Sequence, residues 1–147
     1  MNPSQHLARL VVPLDTSATA EVALHWGALM ARDRAMELHL ISIWDPDAPI
    51  PGIDAGKQEN EILAELQGYL EEVARGLQRE GVSVTVQARA GDVVEEIRKA
   101  AEAPGCMVMI ATHGEGGYQE SRIGSVAEEL IRTARAPVLV IPAIGES

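Results

Sequence analysis

Phenylalanine is absent from the 147 residues, and Trp and Tyr contribute two each. Base-stacking platforms are built from aromatic side chains, so single-strand nucleic-acid binding loses its main instrument. Cations are scarce as well: twelve Lys and Arg stand against twenty-two Asp and Glu, a formal net charge of −10. Such a surface repels a phosphate backbone unless its cations are segregated, and no Lys/Arg cluster occurs, so no nucleic-acid partner is expected. The same charge gives no help to a free nucleotide. Any phosphate site must rest on local backbone dipoles or a metal ion. The single cysteine, Cys106, excludes an internal disulfide and a cysteine-cluster metal centre. It lies in an apolar run with no basic neighbour, which reads as a buried structural thiol. His6, His25 and His39 show no metal-ligand spacing, and no metal site is expected. The longest apolar runs, CMVMIA and PVLVIPAI, are too short to span a bilayer, and MNPSQHLARL has no signal-peptide pattern. The expectation is a soluble cytoplasmic protein with no membrane partner.

What is present is a regular alternation. At 46% hydrophobic and 23% charged, the composition suits one globular domain over residues 1–147. Strands are predicted at 7–14 (LARLVVPL), 37–44 (ELHLISIW), 82–89 (VSVTVQAR), 106–111 (CMVMIA) and 137–142 (PVLVIP). The period-two pattern of 82–89 points to one exposed face or an edge position. Between the strands, Val22, Ala23, Trp26 and Met30 recur at helical spacing, as do Ile62, Leu66, Tyr69, Leu70, Val73 and Leu77 before Gly81. Asp92 with Glu95 three residues on marks a capped helix carrying Val93, Val94, Ile97 and Ala101. A last helix is expected from Ser125 to about Ala134, with Val126, Leu130, Ile131 and Ala134 on one side. Residues 45–59, rich in Pro and Gly, read as a loop, and Asp45, Asp47 and Asp54 there lack calcium-loop spacing. Five strands alternating with four helices make an α/β fold, a parallel five-stranded sheet with helices on both faces. Ligands of such sheets gather at the carboxyl ends of the strands. That directs attention to Pro13–Ser17, Ile43–Asp45, Ala90–Gly91 and the segment from Ala111 onward.

The stretch ATHGEGGYQESRIGS, residues 111–125, admits two readings. Gly114, Gly124 and Ser125 could let backbone N–H groups converge on an anion at a helix N-terminus. Equally, Ser125 with Glu128 forms a capping box that needs no ligand, and Glu115 and Glu120 disfavour phosphate. No Lys precedes Ser125, so the segment departs from a P-loop. Asp15, directly after a buried strand, is either a ligand carboxylate or a helix cap. His113 could reach a phosphate or simply be solvated. Trp44, at a strand end, could line a pocket or pack in the core.

These residues carry a resemblance. LVVPLDTSATAEVAL at the start, ATHG followed nine residues later by GS, and APVLVIP at the end resemble the universal stress protein family over nearly the whole chain. The resemblance implies strand order 3-2-1-4-5, a Rossmann-like sheet of the adenine nucleotide alpha hydrolase type, and a homodimer through the last strand, Val138 to Ile141. In the nucleotide-binding branch ATP, alone or with Mg, lies at the carboxyl ends of the first and fourth strands. Carried over, Asp15 takes the adenine edge with Pro13 and Leu14 beside it, and Ile43 covers the base. Ile110 packs near the ribose, and His113, Gly114, Gly124, Ser125 and Val126 lie along the phosphates. Ala111 replaces the first glycine of the motif, at little cost if its backbone is extended and at a real cost if it needs positive φ or touches the ribose. The implied function is an adenine-nucleotide-binding regulator or stress-resilience protein with little or no catalysis. A nucleotide-free dimerisation module and a slow ATPase are the alternatives.

Overall fold

The computed structural model describes residues 6–47, 56–112 and 123–143, with side chains from 125 in the last segment. Nine elements alternate: β1 (Arg9–Pro13), α1 (Ala18–Arg34), β2 (Glu37–Trp44), α2 (Glu59–Arg79), β3 (Val84–Ala90), α3 (Val93–Ala100), β4 (Cys106–Thr112), α4 (Ile123–Thr133) and β5 (Val138–Pro142). All five strands are parallel, in the order β3-β2-β1-β4-β5. The expected fold and strand order are therefore observed. Central strands covered on both faces must be apolar throughout, and Leu10, Val11, Val12, Leu38, Leu40, Ile41, Val108, Met109 and Ile110 are all buried. Each such side chain contributes about 1.5–3 kcal/mol of transfer free energy.

Helix α1 departs from the expected pattern. Its buried stripe is Ala20, Ala23, Gly27, Ala28 and Ala31, while Trp26 is 51% exposed. Small residues let the helix lie close against the sheet. A Cβ on Gly27 would stand 3.4 Å from Leu38 and 3.5 Å from Val12. The apolar spacing left Trp26 a core or a rim place, and the core place is corrected by its exposure. The same correction applies to Ile131 on α4, which is 61% exposed although Val126 and Leu130 are buried.

Ends of elements follow local chemistry. Asp92 caps α3 by accepting from the Glu95 N–H at 3.0 Å, while the Glu95 carboxylate turns to Arg98. Gly81, at φ +89°, follows α2 in the left-handed region that favours glycine. Helix α4 opens at Ile123, so Ser125 lies inside its first turn. The reading of Ser125 as the cap of a helix starting there is corrected by that earlier start. Trp44 packs with Ile62 and Leu66 in a small cluster under α2, the core reading of that residue.

Candidate functional site

The ladders define where a crevice opens. β1 pairs with β4 over Arg9–Val11, yet pairs with β2 as far as Pro13. The Leu14 N–H continues toward β2, donating to the Ile41 carbonyl at 2.8 Å. β4 instead follows β5 to Thr112 opposite Pro142. The two central strands therefore part beyond Val11 and Val108, where the strand order reverses, with Pro13–Asp15 and Ile110–Thr112 on either side of the place where such sheets form a ligand cleft.

The β1 side of this cleft is a rigid turn. Ser42 is fully buried on β2 and donates its hydroxyl to the Leu14 carbonyl at 2.8 Å. Thr16 adopts φ +67°, a costly left-handed conformation for a β-branched residue. It is held by Asp15, whose Oδ1 accepts from the Ser17 N–H at 3.1 Å and the Ser17 hydroxyl at 2.5 Å. Ser17 Oγ in turn accepts from the Ala20 N–H at 3.1 Å and caps α1. The cap of α1 is therefore Ser17, and Asp15 is not the cap but the group that holds it. Only 9% of Asp15 is exposed. A carboxylate so placed must be hydrogen-bonded, and the turn supplies the donors. Behind it, the Tyr69 hydroxyl of α2 donates to Glu21 in the first turn of α1 at 2.5 Å. Burial foremost, then the Glu21 hydrogen bond and the charges of Glu21 and Asp15, push the Tyr69 phenol far above its ordinary range. It stays a donor across the working pH range.

On the β4 side, Ala111 is fully buried and paired with Ile141. Positive φ among the described non-glycine residues is confined to Thr16 and Ala35, so the Ala111 backbone is ordinary strand. Its methyl group faces the core. Of the two costs foreseen for the missing motif glycine, the structure removes the one that positive φ would impose. Pro13, Leu14, Ile43, Ile110 and Val126 are buried, Ser125 is exposed, and Gly124 lies in the first turn of α4. His113 and Gly114 lie outside the described residues, as do Glu115, Glu120 and Asp54.

The family model described as the universal stress protein family matches residues 7–142. The chain belongs to the universal stress protein family. Universal stress protein Rv2624c of Mycobacterium tuberculosis is 31% identical over 137 residues, covering 90% of this chain and 47% of that protein. The chain thus spans about half the length of that mycobacterial relative. The solved structure of MJ0577, a universal stress protein of Methanocaldococcus jannaschii, is 27% identical with a TM-score of 0.76, covering 95% of this chain and 98% of that one. A universal stress protein from Archaeoglobus fulgidus, solved in complex with dAMP, shares the fold at 22% identity and TM-score 0.66, over 93% and 98% of the two chains. A universal stress protein solved in complex with cAMP is 16% identical with TM-score 0.66, over 93% of this chain and 98% of that one.

Elsewhere this universal stress protein carries polar groups that sequence reasoning missed. Glu96 on α3 is 8% exposed and pairs with Arg89 and Lys99, each at 3.2 Å. It presses against Gly91, where an added Cβ would stand 2.8 Å from its Oε2. His39, nearly buried on β2, shares a 2.7 Å hydrogen bond with Thr85. Burial first, and Arg9 next, hold its imidazole below the usual range. Burial likewise raises the Cys106 thiol, the inert reading of that residue. Among the described residues no group of three His, Cys, Asp or Glu is placed to hold a metal, and no helix is long and apolar enough to cross a membrane. A groove of about 820 Å³ between the C-terminal parts of α3 and α4, lined by Cys106, Leu130 and Pro137, opens at the amino ends of the strands. It contains none of Pro13, Leu14, Asp15 or Ala111. Of the features that build the cleft, Ser42 had a faint signal, a lone hydroxyl in ELHLISIW. The Glu21–Tyr69 bond, 48 residues apart, had none.

Proposed function

We propose that this universal stress protein domain binds an adenine nucleotide, ATP in the first instance, in the cleft between β1 and β4. It would act as a nucleotide-responsive regulator or stress-resilience factor rather than as an efficient enzyme. The observation that carries the reading is the parting of β1 and β4 beside a turn whose Asp15 carboxylate is held rigidly by Ser17. A carboxylate accepts from an exocyclic amine, so Asp15 suits the adenine edge, with Pro13 and Leu14 beside the base and Ile43 over it. Ile110 lies toward the ribose. His113, Gly114, Gly124, Ser125 and Val126 then follow the phosphates, and the first N–H groups of α4 favour negative charge. At the one position that departs from the family motif, the extended backbone and burial of Ala111 support this reading. The dAMP and cAMP complexes of the related proteins support an adenine nucleotide as the class. Any Mg would arrive with the polyphosphate.

A homodimer through Val138 to Ile141 accompanies this reading. β5 ends the sheet, and Leu139 and Ile131 beside it are exposed apolar side chains. Pairing this edge with its twin removes both the open ladder and the apolar surface. Titration calorimetry with ATP in the presence of Mg tests the ligand, and mass in solution tests the dimer. Gly124→Val, which crowds the first turn of α4, is expected to weaken ATP binding with little change in the dimer.

A further inference from the structure

The two edges of the sheet are finished differently. In a parallel ladder alternate residues direct their backbone groups toward the neighbouring strand and the others point away. On β3, the Gly91 N–H reaches the Trp44 carbonyl at 2.9 Å and the Ser83 carbonyl accepts from Leu38 at 2.8 Å. Odd residues thus face β2, and Val84, Val86, Ala88 and Ala90 present theirs outward. On β5, Pro137 accepts from Val108 at 2.9 Å and Ala143 donates to Thr112 at 2.7 Å, which leaves Val138 and Val140 outward.

Two of the outward groups of β3 are met by side chains of α2. Gln67 Oε1 accepts from the Ala88 N–H at 3.1 Å. The Gln67 amide is oriented by Glu71, one turn on, whose carboxylate accepts from Nε2 at 3.1 Å. That second bond fixes the flip: only the oxygen can face the strand. Gln78 Nε2 approaches the Val84 carbonyl at 3.5 Å, a longer contact of the same kind. At Val138 and Val140, among the described residues, no side chain hydrogen-bonds the backbone.

We infer that the Gln67–Glu71 pair is an edge plug that closes β3 to strand addition, so that a second copy of this chain can dock only at β5. This rests on the β5 pairing proposed above. A subunit with two open edges could add copies without limit, whereas one open edge stops at a closed pair. Gln67 is therefore the residue that sets the size of the assembly.

The test compares the wild type with Gln67→Ala and Gln67→Lys by light scattering across concentration and by hydrogen exchange at Ala88. Both variants remove the acceptor, and the Ala88 amide is expected to exchange roughly fivefold to tenfold faster, the loss of one net hydrogen bond. Gln67→Ala should then form species larger than the wild type, growing with concentration. Gln67→Lys should keep the wild-type mass, because a lysine on an edge blocks pairing by charge. The lysine variant separates edge opening from general destabilisation. Overturning results are wild-type mass for Gln67→Ala, growth of both variants alike, or unchanged exchange at Ala88. The wild-type mass alone reads the β5 dimer, so a monomeric wild type would remove that reading without touching the comparison.

Discussion

Replacing Ala111 by glycine, the residue the family motif carries there, separates two accounts of this domain. If the methyl obstructs the ligand, glycine should restore affinity. The structure places that methyl in the core of a paired, extended strand, with no exposure. Glycine in a strand interior costs about 0.5–1 kcal/mol in backbone entropy, and the lost buried methyl adds about 0.8 kcal/mol. Ala111→Gly should therefore destabilise the fold by about 1–2 kcal/mol, lowering Tm by roughly 3–7 °C for a chain of this size. ATP affinity should move by less than about threefold, under 0.7 kcal/mol. Differential scanning calorimetry reads the first quantity and titration calorimetry the second. An unchanged or higher Tm together with binding tightened more than about tenfold, a 1.4 kcal/mol gain, would refute the reasoning.

Three further outcomes follow from the same geometry. Ser42→Ala leaves the Leu14 carbonyl without its buried donor, so thermal unfolding should show a loss of about 1–3 kcal/mol, with nucleotide affinity falling as the turn loosens. Tyr69 is raised in the folded state, so the unfolded chain ionises first. The stability it contributes is full below its ordinary pKa of about 10 and is lost as pH rises above that. Tyr69→Phe should flatten the alkaline limb of a Tm–pH profile. His39 is lowered, so the unfolded chain takes up its proton first; the contribution is full above about pH 6.5 and is lost as pH falls. Arg9, Glu37, Gln87, Arg89 and Thr85 surround it, and His39→Gln should reduce the acid slope between about pH 6.5 and 5.

The strand runs were legible because central parallel strands are apolar on both faces, and the helices because α2 and α3 carry wide apolar stripes. Helix α1 was read less well. Its contact face is alanine and glycine, so the larger Trp26 dominated the periodicity although it faces solvent. Ile131 misled in the same way beside the open β5 edge. Asp15 was legible as a candidate from its place after β1, but its true relation to Ser17 depends on the left-handed Thr16, which no spacing rule announces. Ser42, Tyr69, Gln67 and Glu96 draw their roles from partners brought together only by the crossovers. Pairwise contacts of that kind leave no period in a single sequence.

The most direct measurement is titration of the purified protein with ATP and Mg, beside Asp15→Ala checked for intact folding. The account predicts saturable heat for the wild type and a loss of roughly tenfold to a hundredfold in affinity for the variant, as expected for a hydrogen bond to a charged group worth about 1.5–3 kcal/mol. No heat at millimolar nucleotide, or equal affinity in both proteins, would contradict it.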